Sequence, residues 1–121
     1  MDNCIFCKRI KDDIPSYTLY EDNIVKVFLD INPDTIGHML IIPKNHYTNI
    51  DDIDIDTLTH IMNISKKIHT LLKEKLNIDG MSMVQNNGCV QEVKHYHMHI
   101  KPHYIESKSL SVEEVYEKLT K

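Results

Sequence analysis

Residues 94–104 read KHYHMHIKPHY, and this stretch holds four of the chain's eight histidines. Side chains alternate between the two faces of a β-strand. A strand here therefore places His95, His97 and His99 on one outward-facing surface, while the intervening apolar side chains pack on the core. Histidine has no strand preference that would select it three times running, so the pattern indicates a functional surface.

A single metal ion is not expected to bind all three of these histidines. At a rise of about 3.3 Å per residue, His95 and His99 lie roughly 13 Å apart along a strand, whereas zinc holds each imidazole nitrogen at about 2 Å. The three imidazoles are therefore predicted to serve more than one role.

A pattern that is typical of metal binding, Cys4-Ile5-Phe6-Cys7, lies near the N-terminus. A Cys-x-x-Cys pair suits tetrahedral zinc, and two nitrogen ligands would complete the site. A redox pair would require a strand-to-helix context that this segment lacks. Two cysteines simply buried around Phe6 are the structural alternative. Cys89 stands alone and is assigned no role.

Composition limits the class of protein. The 121 residues suit one domain, residues 1–121, and 41% apolar with 26% charged residues is typical of a folded globular protein. A net charge of -4 argues against nucleic acid as a partner. The longest apolar run, residues 39–42, cannot span a membrane, and no signal peptide is evident. We therefore expect a cytoplasmic protein whose three cysteines serve metal or redox chemistry, not disulfides.

Hydrophobic patterns predict the other elements. β-Branched and aliphatic residues predict strands over 25–29 and 38–42, paired as an antiparallel hairpin. Apolar residues at three- and four-residue steps predict one long helix over 56–76, with Asp56 as its N-cap. The remaining predicted elements are a short helix over 4–10, a strand over 81–85, a turn over 86–88, and a final helix that begins with a capping box formed by Ser111 and Glu114.

Together these motifs resemble the histidine triad (HIT) family. HYHMH at 95–99 fits the His-x-His-x-His pattern, and it is supported by IFCKRIKDDIPSYTLYED at 5–22, FLDINP at 28–33 and GHMLIIPKNH at 37–46. The resemblance covers nearly the whole chain. It implies an α+β, HIT-like fold in which a mostly antiparallel sheet of about five strands packs on one long helix and extends across a homodimer.

The resemblance also implies a nucleotide-binding hydrolase. Such an enzyme would cleave at the α-phosphate of nucleoside 5′-phosphoramidates or related purine nucleotides through a covalent nucleotidyl-histidine intermediate. His97 would be the nucleophile by position, and the groups that orient it and stabilise phosphoryl charge would be His99, His38 and Gln91. Asp30 would bind the ribose hydroxyls or, alternatively, cap the following turn. The other expected nucleotide contacts are Ile5, Phe6, Phe28, Ile31, Leu40 and Asn86.

In zinc-containing members of the family, the first triad histidine and the histidine after Pro-Lys join the cysteine pair. The corresponding ligands here would be Cys4, Cys7, His46 and His95. Four protein ligands leave no open coordination position, so this Zn²⁺ would be structural.

Three alternative functions stay open. A dinucleoside polyphosphate hydrolase and a nucleotidyltransferase would use the same covalent intermediate. A zinc-stabilised nucleotide-binding module with little catalysis belongs to a different class. His97 favours an enzyme, because a binding module has no need for a positioned imidazole nucleophile.

Overall fold

The computed structural model describes residues 4–121 and shows an α+β fold, as predicted. Its elements are α1 (Ile5–Ile10), β1 (Thr18–Glu21), β2 (Val25–Leu29), β3 (Met39–Pro43), α2 (Ile55–Leu76), β4 (Gly80–Val84), β5 (Met98–His103) and α3 (Val112–Thr120). Within the described part, the strands form one antiparallel sheet in the order β1-β2-β3-β5-β4. The sheet places the ends of β3 and β5 next to each other at its centre.

The main core lies between one face of the sheet and the long helix α2. Alternate residues of β2 point into it, and Ile61 and Leu72 of α2 are fully buried against them. The helix begins one residue earlier than predicted, and its N-cap is Asp54, not Asp56. The Asp54 carboxylate accepts a hydrogen bond from Thr57 N, whereas Asp56 lies inside the first turn, where it cannot act as the cap.

The other face of the sheet is covered in part by α1. Phe6 of α1 packs with Phe28, Leu40 and Ile42 in a second, smaller apolar cluster. Lys26, which is fully buried on β2, donates from Nζ to the carbonyl of Arg9 (2.7 Å) and to Oδ1 of Asp12 (2.8 Å). The buried lysine thus holds the C-terminal end of α1 on the sheet.

The prediction of one strand carrying all three triad histidines is wrong in its extent. β5 begins at Met98, so only His99 lies in it, and the two earlier histidines precede it in an irregular segment. The expectation that the imidazoles face outward is also wrong for His95 and His97, which are 0% and 4% exposed. The reason is that α1 covers them. The alternation itself persists, since Tyr96 still points into the main core.

The final helix has the predicted capping box. Ser111 accepts from Glu114 N through its hydroxyl, and the Glu114 carboxylate accepts from Ser111 N. None of the helices within residues 4–121 combines the length and apolar character needed to span a bilayer.

Candidate active site and metal cluster

Four side chains from distant parts of the sequence meet beside α1. The ligand atoms of Cys4, Cys7, His46 and His95 all lie within 4.8 Å of one another. The nearest contacts are 3.2 Å from Cys7 Sγ to His46 Nδ1 and 3.4 Å from Cys4 Sγ to His95 Nδ1. A tetrahedral ion with bonds of about 2.0–2.3 Å requires ligand atoms about 3.3–3.8 Å apart, so the donor set fits zinc.

Backbone contacts orient this cluster. His95 Nε2 donates to the carbonyl of Pro43 at 2.8 Å, which leaves the Nδ1 lone pair directed at the two sulfurs. Cys4 caps α1, because its Sγ accepts from Cys7 N at 3.3 Å. The first helix and the segment before β5 are thus aligned for a shared ion.

The protonation of the cluster depends on whether a cation is bound. Burial raises the pKa of the Cys7 thiol to about 11, and the neighbouring Cys4 acts in the same direction. Burial also lowers the pKa of His95 to about 4, so its imidazole is neutral. Neutral imidazole is the form that binds metal, and a coordinated thiol loses its proton, so zinc would convert this pair of thiols to thiolates.

His97 and His99 line a cleft of about 280 Å³. The cleft is lined by Asp30, Asn32, Asp34, His38, Asn86, Glu92, His97, His99 and Lys101. The loops after β2 and β4 and the strand β5 supply most of these residues. Both polar and charged groups therefore converge at one end of the sheet.

His97 is held in one tautomer by the backbone carbonyl of His95. Its Nδ1 lies 2.8 Å from the carbonyl of His95, an acceptor, so Nδ1 carries the proton and donates. Burial lowers the pKa of the ring, which keeps it neutral. Nε2 consequently holds an available lone pair. Phe6 packs edge-on against the ring with centroids 5.0 Å apart and restricts its rotation.

A chain of hydrogen bonds fixes the neighbouring rings. Asp34 N donates to His38 Nδ1 at 3.1 Å, so the proton of the neutral His38 ring is on Nε2. That Nε2 donates to His99 Nδ1 at 2.9 Å, which leaves the proton of His99 on its own Nε2. Burial lowers the pKa values of both rings, with His99 reaching about 4. His99 is therefore a neutral hydrogen-bond donor beside His97, whose ring centroid lies 4.9 Å away.

The group Asp30, His38 and His99 also has a spacing that could hold a metal. Its hydrogen bonds argue against that role. The backbone N–H of Asp34 occupies one nitrogen of His38, and the other nitrogen carries a proton directed at His99. An ion would have to displace that proton, so this group is better suited to hydrogen bonding.

Asp30 makes the turn-capping contact that was one of the two alternatives predicted for it, and its second carboxylate oxygen faces the cleft. Its Oδ1 accepts from Asn32 N at 2.8 Å and caps the turn, while Oδ2 lies 3.7 Å from His38 Nε2 and lines the cleft. The residues predicted to contact the base differ in burial. Phe6, Phe28 and Leu40 are buried in the smaller apolar cluster, whereas Ile5 and Ile31 are 41% and 54% exposed.

The structure does not bring Gln91 to the cleft. Its Nε2 donates to the carbonyl of Thr48 at 2.6 Å, and its Oε1 is buried without a partner. Conversely, Asn32, Asp34, Glu92 and Lys101 line the cleft and were not predicted. Lys101 could have been predicted from the sequence, because it follows His99 by two residues and therefore lies on the same side of the strand.

The fold and this site define a histidine triad protein, and sequence comparison agrees. The HIT domain family matches residues 11–105. The chain belongs to the HIT family.

Two relatives illustrate the similarity. An uncharacterized HIT-like protein of Methanocaldococcus jannaschii is 48% identical over 103 residues, which cover 84% of this chain and 79% of that protein. The adenosine 5′-monophosphoramidase HNT1 of Saccharomyces cerevisiae is 43% identical over 111 residues, covering 90% of this chain and 68% of the relative.

A solved structure shows the same architecture. A Zn-bound histidine triad family protein from Mycobacterium smegmatis superposes with a TM-score of 0.91 at 31% identity, covering 98% of this chain and 91% of that one.

Proposed function

We propose that this protein is a nucleotide hydrolase that cleaves at the α-phosphate of nucleoside 5′-phosphoramidates or related purine nucleotides. The observation that carries the proposal is the His97 ring, whose Nδ1 proton is committed to a backbone carbonyl and whose Nε2 is a free nucleophile at the cleft. Relatives named adenosine 5′-monophosphoramidase in two yeasts, at 43% and 40% identity, support the same reaction.

The chemistry would proceed in two displacements. His97 Nε2 attacks the α-phosphorus, a phosphorus–nitrogen bond to the imidazole forms, and the bond to the leaving nitrogen breaks with its electron pair while that nitrogen takes a proton from solvent and departs as the amine. Water then attacks the same phosphorus and loses a proton to solvent, and the imidazole leaves as the nucleoside monophosphate is released. His99 Nε2–H would donate to a phosphoryl oxygen as negative charge develops there. Asn86, which lines the same cleft, would be a second donor through its side-chain amide.

The nucleoside would lie beside the phosphate site. Asp30 Oδ2 would be available for the ribose hydroxyls, and the exposed side chains of Ile5 and Ile31 would contact the base. Gln91 would act only indirectly, by fixing the loop at Thr48.

We further propose that Cys4, Cys7, His46 and His95 bind a structural zinc ion. When bound, zinc would cross-link α1 to the segment that precedes β5. His95 would then be a ligand, unavailable as an acid or base, and phosphoryl chemistry would fall to His97 and His99. A cytoplasmic location fits the free thiols, and residues 1–121 would form one HIT domain.

A homodimer is the proposed assembly. β4 is an edge of the sheet, and its Met83 is 36% exposed. An unpaired apolar edge favours pairing with a second copy across a two-fold axis. Light scattering at micromolar concentration should give twice the chain mass of 14.2 kDa, and Met83→Lys should shift it toward one chain. A wild-type mass of a single chain would refute the dimer.

A substrate panel on purified protein tests the reaction. Adenosine 5′-phosphoramidate, its guanosine counterpart and a diadenosine polyphosphate should be compared by kcat/KM. Turnover of a phosphoramidate to the nucleoside monophosphate is expected. Nucleotide binding without turnover of any substrate would favour the zinc-stabilised binding module, and transfer to a second acceptor would indicate a nucleotidyltransferase.

A further inference from the structure

A second, larger cavity lies beside the triad cleft. Its volume of about 510 Å³ is within the range of small-molecule sites, and it lies between the loop that follows β2 and the segment that follows β5. Three of its lining residues, Asp30, Asp34 and His38, also line the triad cleft. The cavity and the cleft therefore share one wall, while the rest of the cavity has no part in the proposed reaction.

Two hydrogen bonds join the walls of this cavity. Thr35 Oγ1 donates to the carbonyl of Pro102 at 2.8 Å, and Tyr104 OH donates to the carbonyl of Ile36 at 2.9 Å. Thr35, Ile36 and Tyr104 all line the cavity. Because these bonds tie the loop after β2 to the end of β5 and the residue that follows it, the cavity is formed before any ligand arrives.

The inner surface of the cavity is apolar. Leu29 of β2 and Val115 of α3 are each 2% exposed and belong to the main core. Ile36, Leu110 and Val112 are partly buried against that core and line the same space. Small-molecule sites are lined mostly by such side chains, with a few polar groups that fix the ligand's orientation. A ligand of this cavity therefore needs an apolar body.

The charged groups around the cavity are mostly negative. Asp30, Asp34 and Glu106 contribute carboxylates, and Lys108 is the one lysine or arginine among the lining residues that the structure describes. The charge of Lys108 is directed at the protein itself, because its Nζ donates to the carbonyl of Leu76 at 3.1 Å. The cavity is thus suited to a cation and not to an anion.

The three carboxylates differ in their availability. Asp34 pairs with Lys101 at 2.7 Å, and Asp30 caps its own turn through Oδ1. Glu106 is exposed, and none of the ion pairs within residues 4–121 includes it. Glu106 is therefore the carboxylate best placed to pair with a ligand.

An aromatic ring in the cavity wall already accepts an ammonium group. Lys108 Nζ lies 5.1 Å from the centroid of the Tyr104 ring, within the range of a cation–π contact. Tyr104 and Glu106 belong to the same segment and both line the cavity. A ligand ammonium would consequently meet a carboxylate and an aromatic ring next to an apolar surface.

We propose that this cavity binds a protonated organic amine with an apolar body, at a site separate from the nucleotide site. Glu106 pairs with the ammonium group, and the apolar body lies against Ile36, Leu110 and Val115. The inference does not depend on the proposed function, because Glu106 and these apolar residues have no role in that reaction.

Calorimetric titration with 2-phenylethylamine tests the site, because this amine is protonated at pH 7 like a lysine side chain. The uncharged 2-phenylethanol and the anionic 3-phenylpropionate have a similar apolar body and isolate the effect of charge. The amine should bind about tenfold more tightly than the alcohol, the scale of one charge-assisted hydrogen bond, and the carboxylate should bind more weakly than both. Glu106→Gln should remove most of the preference for the amine and change alcohol binding less than about twofold.

Two other glutamates provide matched controls. Glu92 lines the triad cleft but not this cavity, and Glu113 is exposed on α3 and lines neither. Glu92→Gln and Glu113→Gln should both leave the amine affinity unchanged. An equal loss of affinity in Glu92→Gln and Glu106→Gln would place the amine in the triad cleft and overturn the inference. Equal affinities for amine and alcohol, or no binding of the amine at millimolar concentration, would also overturn it.

Discussion

His38 donates a hydrogen bond from Nε2 to Nδ1 of His99 across 2.9 Å, and this contact determines which nitrogen of each ring carries a proton. The donor is fixed in turn by Asp34 N, a backbone group of the loop that joins β2 to β3. The hydrogen-bonding capacity of His99 therefore depends on the conformation of a loop more than sixty residues earlier in the chain. The loop between β2 and β3 therefore helps to determine which proton His99 presents to the cleft.

The nucleophile can be tested by removal. His97→Ala should lower phosphoramidate turnover by at least about a thousandfold, because no other imidazole nitrogen at the cleft has a free lone pair in the assigned tautomers. Nucleotide binding should survive, since Asp30 and the apolar contacts remain. Steady-state kinetics and calorimetry measure the two properties separately. Near-normal turnover by the variant would show that His97 is not the nucleophile.

Zinc content tests the four-residue cluster. Protein purified without added metal should contain about one equivalent of zinc per chain, and chelation should lower Tm by at least about 5 °C, because the ion binds the folded site. Cys7→Ser should lower both the zinc content and the Tm of the purified protein. Cys89→Ser, at an exposed position, is the control and should change neither. Less than about a tenth of an equivalent, with Tm unchanged by chelation, would mean that the cysteines are only buried thiols.

Gly37, the residue before His38, should not tolerate a side chain. Its φ of +87° is unfavourable for an L-residue, and a Cβ would lie 3.0 Å from Leu76 Cδ1 and 3.1 Å from Pro102 Cγ. Gly37→Ala should destabilise the fold by about 2–3 kcal/mol in denaturant unfolding.

Substitutions at two other glycines distinguish the backbone cost of a positive φ from the steric cost of an added Cβ. Gly88 has φ +74° with open space around it, so Gly88→Ala should show only the backbone cost, about 1–2 kcal/mol. Gly80 has ordinary contacts, and Gly80→Ala should lie within about 0.5 kcal/mol of wild type. A smaller loss for Gly37→Ala than for Gly88→Ala would contradict the steric argument.

Asp22 should make stability depend on pH in the acid range. Burial alone would raise its pKa, but hydrogen bonds from Tyr20 OH, Val25 N, His60 Nε2 and Ile24 N outweigh it, and the pKa lies well below the ordinary 3.8. A carboxylate with a lowered pKa stabilises the folded state above its unfolded pKa, and that contribution is lost as the pH falls through the folded value.

The corresponding variant is Asp22→Asn, which keeps the shape but removes the charge. It should be less stable than wild type at pH 7, and the difference should shrink as the pH falls below 3.8. Urea unfolding from pH 7 down to pH 2 measures it. A difference that stays constant across this range would argue against the carboxylate as the source.

Regular elements with strong periodicity could be predicted from the sequence, and those set by long-range contacts could not. The boundaries predicted for β2 match the structure, because apolar side chains fill four of its five positions and all five residues are buried. β1 was missed since Thr18–Glu21 is a short, partly exposed edge with no clear alternation. The start of β5 was placed too early because three alternating histidines fit a strand, while the contact from Tyr96 N to Tyr47 O that shapes this segment is tertiary.

In the candidate site, too, local sequence patterns predicted some features, and long-range contacts determined the others. The HIT motif located His97 and His99 within the chain, but their tautomers follow from hydrogen bonds that no local pattern reveals. The convergence of Cys4 with His95 likewise depends on where α1 packs. Glu92 and Asp34 were missed because a single acidic residue in a polar loop has no periodic or motif signal.

The contact between Cys4 and His95 joins positions 91 residues apart, which has a consequence for synthesis of the chain. Chains emerge and begin to fold from the N-terminus. Cys4 and Cys7 are therefore synthesised early, and His95 can join them only after four of the five strands have been translated. Thiols without their final partners are open to oxidation, so we expect the four-residue cluster to assemble fully only where the nascent chain is kept reduced.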